Sequence, residues 1–222
     1  MSPLEHAVLT AIRRTGFAPL GWFAPNFEDR VPEGARFVIL IGNAGPDMFR
    51  RFARERDPAR DAMDDWTRDV VSGLARSLDA EALYPFDTDP PWPFLRWARR
   101  GGAGHVSPLG LNIHPVYGLW HAYRAALLFP VEFDIPPQRA GAHPCESCVA
   151  KPCLTACPVG AFDGKGYDVT ACAGHLRTRA GQACMSGGCL ARRACPVGQG
   201  FAYAPAQAEF HMRAFLAARQ EA

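Results

Sequence analysis

All eight cysteines of this 222-residue chain fall between Cys145 and Cys195, and the preceding 144 residues contain none. So sharp a change of composition inside one chain marks a domain boundary. It predicts a first domain over residues 1–140, a cysteine module over 141–200 and a closing helix over 201–222, with the linker at Pro136-Pro137, Gly141 and Pro144. A chain of this length can bury a sizeable core, so the cysteine-free part is expected to fold as a domain in its own right.

The cysteine spacing restricts the chemistry. The first run reads C-x2-C-x4-C-x3-C-P through Cys145, Cys148, Cys153 and Cys157, near the bacterial two-cluster pattern with two extra residues in the middle gap. The second comprises Cys172, Cys184, Cys189 and Cys195, and both runs close on C-P-V-G. Three nearby thiolates reach three corners of one [4Fe-4S] cubane, while the fourth cysteine of such a run serves the other cluster. That rule assigns Cys145, Cys148, Cys153 and Cys195 to one cluster, and Cys157, Cys172, Cys184 and Cys189 to the other. Paired C-x2-C knuckles, the usual zinc pattern, occur only once here. Arg177, Arg179, Arg192 and Arg193 flank the second run, either as a docking face for an acidic electron donor or as a solvated rim.

Acidic and basic residues nearly balance, leaving a net charge of +2, which supplies no electrostatic footprint for nucleic acid. No apolar run reaches the roughly 18–20 residues that span a bilayer. The Arg13-Arg14 pair is followed by Pro- and charge-rich sequence, unlike a twin-arginine signal. The expected setting is the cytoplasm, with no membrane and no nucleic-acid partner. Clustered cysteines in that reducing compartment read as metal ligands before disulfides.

Hydrophobic periodicity supplies the elements. Leu4, Ala7, Val8, Ala11 and Ile12, followed by Gly16, predict an amphipathic helix. Phe37 to Ile41 predicts a strand buried on both faces, turning at Gly42-Asn43-Ala44-Gly45-Pro46. Met63, Trp66, Val70, Leu74 and Leu78 form one stripe of a longer helix. Four prolines between Pro85 and Pro93 impose an irregular connection before a short Trp-rich element. Leu119 to Phe129 reads as a strand, and Pro205 opens a last helix with Ala208, Met212, Phe215 and Leu216 on one face.

The cysteine-free part resembles a known family. The segments RFVILIGNAGPDMF (Arg36 to Phe49), LNIHPVYGLWHAYRAALLFP (Leu111 to Pro130) and VEFDIPPQR look like CblC (MMACHC-like), a cytosolic protein that strips upper ligands from cobalamins. The cysteine layout is similar to that of epoxyqueuosine reductase (QueG) and the reductive dehalogenases. The resemblance implies an α+β fold, a nitroreductase-like α/β sandwich followed by a small ferredoxin-like two-cluster module and a C-terminal helix. It implies two [4Fe-4S] clusters and base-off cobalamin, with a low-potential donor (ferredoxin, flavodoxin or flavin reductase) as partner. His114, Tyr117, Gly118, Trp120 and Arg124 stand in the matching block as corrinoid-pocket residues. Each has a plainer reading, a Trp in an apolar run as core and a His before Pro as a turn residue. Gly42 and Asn43 either cradle corrin amides through backbone N–H groups or form a tight turn. The catalytic block of QueG finds only a poor echo in FARERDP (Phe52 to Pro58), so its acid does not carry over to Asp57.

These readings converge on an oxidoreductase that passes electrons from the clusters to a corrinoid for cobalamin reduction and upper-ligand removal, by decyanation or dealkylation. The alternatives are a cobalamin-dependent reductase of a small organic substrate, and a two-cluster ferredoxin with a docking or flavin-binding domain.

Overall fold

A computed structural model of the chain describes residues 2–57, 63–102, 104–136 and 141–219. Pro58 of the FARERDP segment and residues 137–140 of the expected linker lie outside the described residues. In chain order the elements are α1 (Pro3–Arg14), β1 (Ala18–Phe23), β2 (Phe37–Ala44), α2 (Asp47–Glu55), α3 (Met63–Ser77), β3 (Glu81–Leu83), α4 (Phe94–Arg100), β4 (His105–Val106), β5 (Asn112–Ile113), β6 (His121–Phe129), α5 (Pro152–Thr155), α6 (Val169–Leu176), α7 (Gln182–Gly187), α8 (Leu190–Arg193) and α9 (Pro205–Ala217). Helices and antiparallel sheet together make the chain α+β. Two units result: Met1–Gly104 with His121–Gly141, and His105–Trp120 with Ala142–Ala222. The block Leu111 to Pro130 is therefore divided at Trp120, its first half belonging with the cysteines.

The first unit is a four-stranded antiparallel sheet in the order β1-β2-β6-β3. Its centre is the apolar run of β2, in which Val38, Ile39, Leu40 and Ile41 are fully buried, each such burial stabilising by about 1.5–3 kcal/mol. Successive side chains point to opposite faces. Val38 and Leu40 join Ala126, Leu128, Phe94 and Trp97 in a cluster beneath α4. Trp97 is anchored there by its indole, Nε1 donating to Asp29 O at 2.7 Å. The strand does not turn at Gly42 as its sequence suggests. It runs on to Ala44, with Gly42 paired to Tyr123 and Asn43 to Ala122. A Cβ at position 42 would stand 2.0 Å from Ala122 O, so only glycine admits the neighbouring strand.

A bulge beside that glycine re-aims one side chain. Ile41 pairs with Ala125 and Gly42 with Tyr123, which leaves Arg124 as the extra residue. Tyr123 and Ala126 both face the α4 cluster, so Arg124 is turned to the opposite face, where it meets α3.

Helix faces differ slightly from their predicted stripes. The buried residues of α1 are Glu5, Val8, Leu9 and Ile12, with Leu4 exposed. Glu5 is inside because its carboxylate accepts from Ser2 N–H in a capping box and from Asp134 N–H at 2.6 Å. In α3 the buried face holds Val71 where Val70 was expected, and Leu78 lies past the end of the helix. Trp66 is core, stacked on Phe17 at 5.7 Å and edge-on to Phe52 at 5.5 Å.

The second unit has far less regular structure. A two-stranded ribbon of β4 and β5 precedes a tight turn, and the cysteine region forms helices of four to eight residues before α9. Its apolar cluster joins Leu109, Ile113 and Leu119 to Phe162, Ala191, Cys153 and Cys195, with four more cysteines against it.

Candidate functional site

The eight cysteines are free thiols. Cys153, Cys184 and Cys195 are buried and the others half-buried. Burial pushes the Cys145 thiol up, and so do its neighbours Cys195, Cys153 and Cys148. Burial, then Cys195 and Cys148, act likewise on Cys153. Burial, the Val197 amide in opposition, and Cys148 set Cys195. The remaining thiols sense one another separately. Cys172 is raised by burial, against the Tyr167 hydroxyl, and then by Cys157 and Cys184. Cys189 is raised by burial, against the amides of Arg192 and Ala191, and then by Cys184 and Cys172. The mutual influences thus join Cys145, Cys148, Cys153 and Cys195 in one set, and Cys157, Cys172, Cys184 and Cys189 in another. Among the described residues no three His, Cys, Asp or Glu side chains converge tightly enough to hold a single metal ion.

Amide N–H groups point at the sulfurs. Ala161 N–H donates to Cys157 Sγ at 3.3 Å, from the residue that follows the first C-P-V-G turn. Val197, in the second C-P-V-G turn, supplies its amide to Cys195. Proline after each of these cysteines fixes φ and removes one competing donor. The chain thereby curls its next amides back toward sulfur.

The segment expected to bind corrinoid buttresses this cysteine unit. His114 and Gly118 exchange backbone hydrogen bonds at 2.9 Å, and His114 Nδ1 accepts from the amides of Val116 and Tyr117 at 3.0 and 3.2 Å. The ring is thereby fixed as a turn residue, and burial pulls its pKa down to about 4. Gly118 and Gly198 both have positive φ, and a Cβ on either would strike the other's backbone segment, Val197 O at 2.0 Å or Tyr117 C at 2.3 Å. Two chain turns cross at van der Waals contact there, which explains why His105–Trp120 belongs with the cysteines. Tyr117 meets Phe201 edge-on at 4.8 Å.

Trp120 occupies a different environment. It lines a cleft of about 550 Å³ whose other walls include Tyr203, Gln199, Arg193, Ala156 and Gly187. Its indole nitrogen is buried with no hydrogen-bond partner among the described residues. Arg192 is held between the two rings, 4.9 Å from the Trp120 centroid and 4.4 Å from that of Tyr203, while donating to Leu119 O from Nε at 2.8 Å. Of the four arginines considered for docking, Arg192 is therefore an internal clamp. Arg177, Arg179 and Arg193 are exposed.

The other residues of the resemblance lie in the first unit. Arg124 Nη2 donates to Asp64 Oδ1 at 2.5 Å and Thr67 Oγ1 at 3.2 Å, with Phe86 beside the guanidinium at 5.7 Å. These contacts make it a link between β6 and α3. Gly42 and Asn43 have their backbones in the strand ladder, so they do not form the loop that a cradle requires. His114, Tyr117, Gly118 and Trp120 thus belong to the cysteine unit, and Arg124, Gly42 and Asn43 to the sheet unit.

Sequence reasoning missed Tyr203, which lines the cleft edge-on to Trp120, and read Arg192 only as a flanking arginine, whereas it sits between the two rings. They are neighbours through the fold alone.

An antiparallel sheet unit and a unit of short helices make an α+β fold that solved structures share. Epoxyqueuosine reductase from Streptococcus thermophilus matches over 91% of this chain and 68% of its own, with a TM-score of 0.58 at 17% identity. The B12-trafficking protein CblC of C. elegans, a human MMACHC homologue, matches over 98% and 94%, with a TM-score of 0.54 at 16% identity. Epoxyqueuosine reductase from Bacillus subtilis matches over 94% and 70%, with a TM-score of 0.51 at 16% identity. Likeness at such identities establishes a common fold. No family model matches the sequence, and no curated protein matches it.

Proposed function

We propose that this chain is a cobalamin-binding iron–sulfur reductase. It passes electrons from two [4Fe-4S] clusters to a base-off corrinoid, reducing it and removing its upper ligand. One observation carries the reading: eight free thiols sorted into two sets of four, in a fold shared with a B12-trafficking protein and with reductases. On this reading Cys195 serves with the first run and Cys157 with the second, the exchange of ligands typical of paired cubanes.

The donor set fits such clusters. Part-buried thiolates that act on one another electrostatically are mutually unfavourable, and a cationic iron core among them would remove that repulsion. Amides directed at Cys157, Cys189 and Cys195 stabilise sulfur charge in the same way. Bound clusters would supply single electrons at low potential, taken from a ferredoxin, flavodoxin or flavin reductase. The chain's own task is to hold the sulfurs, exclude water from them and seat the corrinoid substrate.

The Trp120 cleft suits that seat. Ala156, Gly187 and Ala194 on its wall are sequence neighbours of Cys157, Cys189 and Cys195, so an occupant lies close to ligands of both sets. The corrin periphery is rich in amide oxygens, the acceptors that a buried indole N–H lacks. His114, Tyr117 and Gly118 support the wall from behind, through the turn against Val197 and Gly198.

The test is anaerobic reconstitution with iron and sulfide, then titration of cob(II)alamin followed by absorbance and electron paramagnetic resonance. Base-off cob(II)alamin, converted to cob(I)alamin when the clusters are reduced, is the expected result. Unchanged cobalamin spectra in a protein holding both clusters would overturn the corrinoid reading.

A further inference from the structure

The two halves of the cysteine module differ in charge. The first carries Lys151 and Lys165 against Glu146, Asp163 and Asp168. Between Asp168 and Glu209 there is no acidic residue, and Arg177, Arg179, Arg192 and Arg193 all fall in that stretch. Arg192 is the internal clamp and Arg193 lines the Trp120 cleft. Arg177 and Arg179 remain, both exposed on the chain that joins Cys172 to Cys184.

The fold adds a third cation to these two. Arg177 closes α6, and its Nη2 donates to Arg219 O at 3.5 Å, just past the end of α9. Arg219 lies over the Phe215 ring, its guanidinium carbon 4.3 Å from the centroid. Arg179 opens a single 3-10 turn, Arg179–Gly181, pressed so closely on α6 that a Cβ at Gly181 would stand 2.2 Å from His175 O. Thr178 fastens the turn, its Oγ1 donating to His175 O at 2.8 Å and accepting from Gly181 N–H at 3.2 Å. Among the described residues no carboxylate pairs with Arg177, Arg179 or Arg219, whereas Arg213 of α9 is taken by Glu209 at 2.6 Å. Ala180 and Ala183 beside them are exposed, and the next residue is the buried Cys184.

We propose that Arg177, Arg179 and Arg219 form the docking face for the electron donor, a small acidic protein that carries single electrons. The cluster held by Cys157, Cys172, Cys184 and Cys189 is then the point of entry. The proposal rests on the two-cluster reading above. Charge complementarity chooses the partner: arginines with no acid among them attract a carboxylate-rich surface, and such steering raises association rates about 10–1,000-fold. A guanidinium presents a planar fork to a carboxylate, and those of Arg177 and Arg219 are already held, so docking orders little more. Three cations at one corner of a chain with a net charge of +2 suit a compact protein patch better than a nucleic-acid backbone. Cys172 lies in the helix that Arg177 closes, and Cys184 lies in the helix that follows the Arg179 turn, so the face is built on the chain between two ligands of one set. The small side chains of Ala180 and Ala183 keep the approach short. In the step itself the carrier is oxidised by one electron and the cluster reduced by one, with no bond or proton transferred.

The experiment compares reconstituted holoprotein with two double variants, Arg177→Glu/Arg179→Glu and Arg13→Glu/Arg14→Glu. The second pair is exposed at the end of α1 in the sheet unit and brings the same change of net charge. Iron, sulfide and the extent of reduction by dithionite are measured in each. Purified flavodoxin is the acidic carrier: affinity for its oxidised form is read by isothermal titration calorimetry, and cluster reduction by its hydroquinone by anaerobic stopped flow, at low and high ionic strength. The expected result is that Arg177→Glu/Arg179→Glu alone loses about 10-fold or more in affinity and rate at low salt, with the difference closing at high salt. Where that variant holds less iron than the parent, Arg177→Gln/Arg179→Gln replaces it, with a smaller loss in the same direction. Equal weakening of both double variants, or none in either, would overturn the docking face. So would a parent that dithionite reduces but flavodoxin neither binds nor reduces, with the two-cluster reading left intact. An RNA stem-loop bound more tightly than flavodoxin, and lost with Arg177 and Arg179, would assign the face to nucleic acid instead. A parent that assembles no clusters would overturn the two-cluster reading itself.

Discussion

The sheet unit and the cysteine unit solve the problem of burial in opposite ways. In the first, a continuous apolar strand, β2, lies between two others, and its side chains fill both faces with Ile, Val, Leu and aromatic rings. In the second, helices of four to eight residues are too short to be stable by themselves, and six of the residues in and around the apolar cluster are cysteines. A hydrocarbon core needs no ligand. A ring of thiols does, so the cysteine unit's stability is expected to depend on what the thiols bind.

The largest effect that follows is on that dependence. Chelating iron from the reconstituted protein is expected to abolish amide hydrogen-exchange protection across 145–195 while β2 and β6 stay protected. Equal loss or equal retention in both regions would break the contrast between the units.

A smaller effect is expected with pH. His114 is ordinarily protonated near pH 6.5 and is held neutral by burial down to about 4. Its folded pKa is lowered, so its contribution is complete above pH 6.5 and is lost as pH falls toward 4, because only the unfolded chain takes up the proton in that window. The loss is about 1–3 kcal/mol. Comparing urea unfolding at pH 7 and pH 4.5 for the parent and for His114→Gln measures it, and the variant should show the weaker decline.

The smallest effects separate two residues drawn from the same block of sequence. Replacing Arg124 by methionine removes a bond to the half-exposed Asp64, and is expected to cost about 1–2 kcal/mol of stability with cob(II)alamin affinity unchanged. Trp120→Phe keeps the ring and removes the N–H, and is expected to weaken cob(II)alamin binding about 3–10-fold. Cobalamin affinity that falls for Arg124→Met and not for Trp120→Phe would move the corrinoid seat to the sheet unit.

Much of the sheet unit was legible in the sequence. The run from Phe37 to Ile41 could hardly be anything but a doubly buried strand, and β6 was readable as a strand in Leu119 to Phe129. The stripes of α1 and α3 fixed their existence but missed which neighbours were buried, because Glu5 is drawn inward by Ser2 and Asp134, a partner far along the chain. β1 and α2 were not foreseen. Pro19 and Gly21 obscure the first as a strand, and the three arginines and two acidic residues of the second outweigh its apolar face at Met48 and Phe52.

The site was less legible. Gly42 looks like a turn signal, yet it exists to let Ala122 approach. Arg124 sits in a strand whose alternation cannot be read through a bulge. Gly118 and Trp120 are adjacent in sequence to β6 but belong to the other unit, since their partners Val197 and Tyr203 lie more than seventy-five residues away. The grouping of the cysteines rests on their spacing, with the electrostatic influence of each thiol on its neighbours running along the same lines.

That grouping is tested most directly by the double variant Cys145→Ser/Cys195→Ser, reconstituted anaerobically and measured for iron, sulfide and electron paramagnetic resonance. Both substitutions fall in one set of the crossed arrangement, so the account predicts one intact cluster, about four irons per chain, with the resonance of a single isolated [4Fe-4S] centre. Loss of both clusters would show that Cys195 serves with Cys172, Cys184 and Cys189, and would contradict the crossed sets on which the proposed electron path rests.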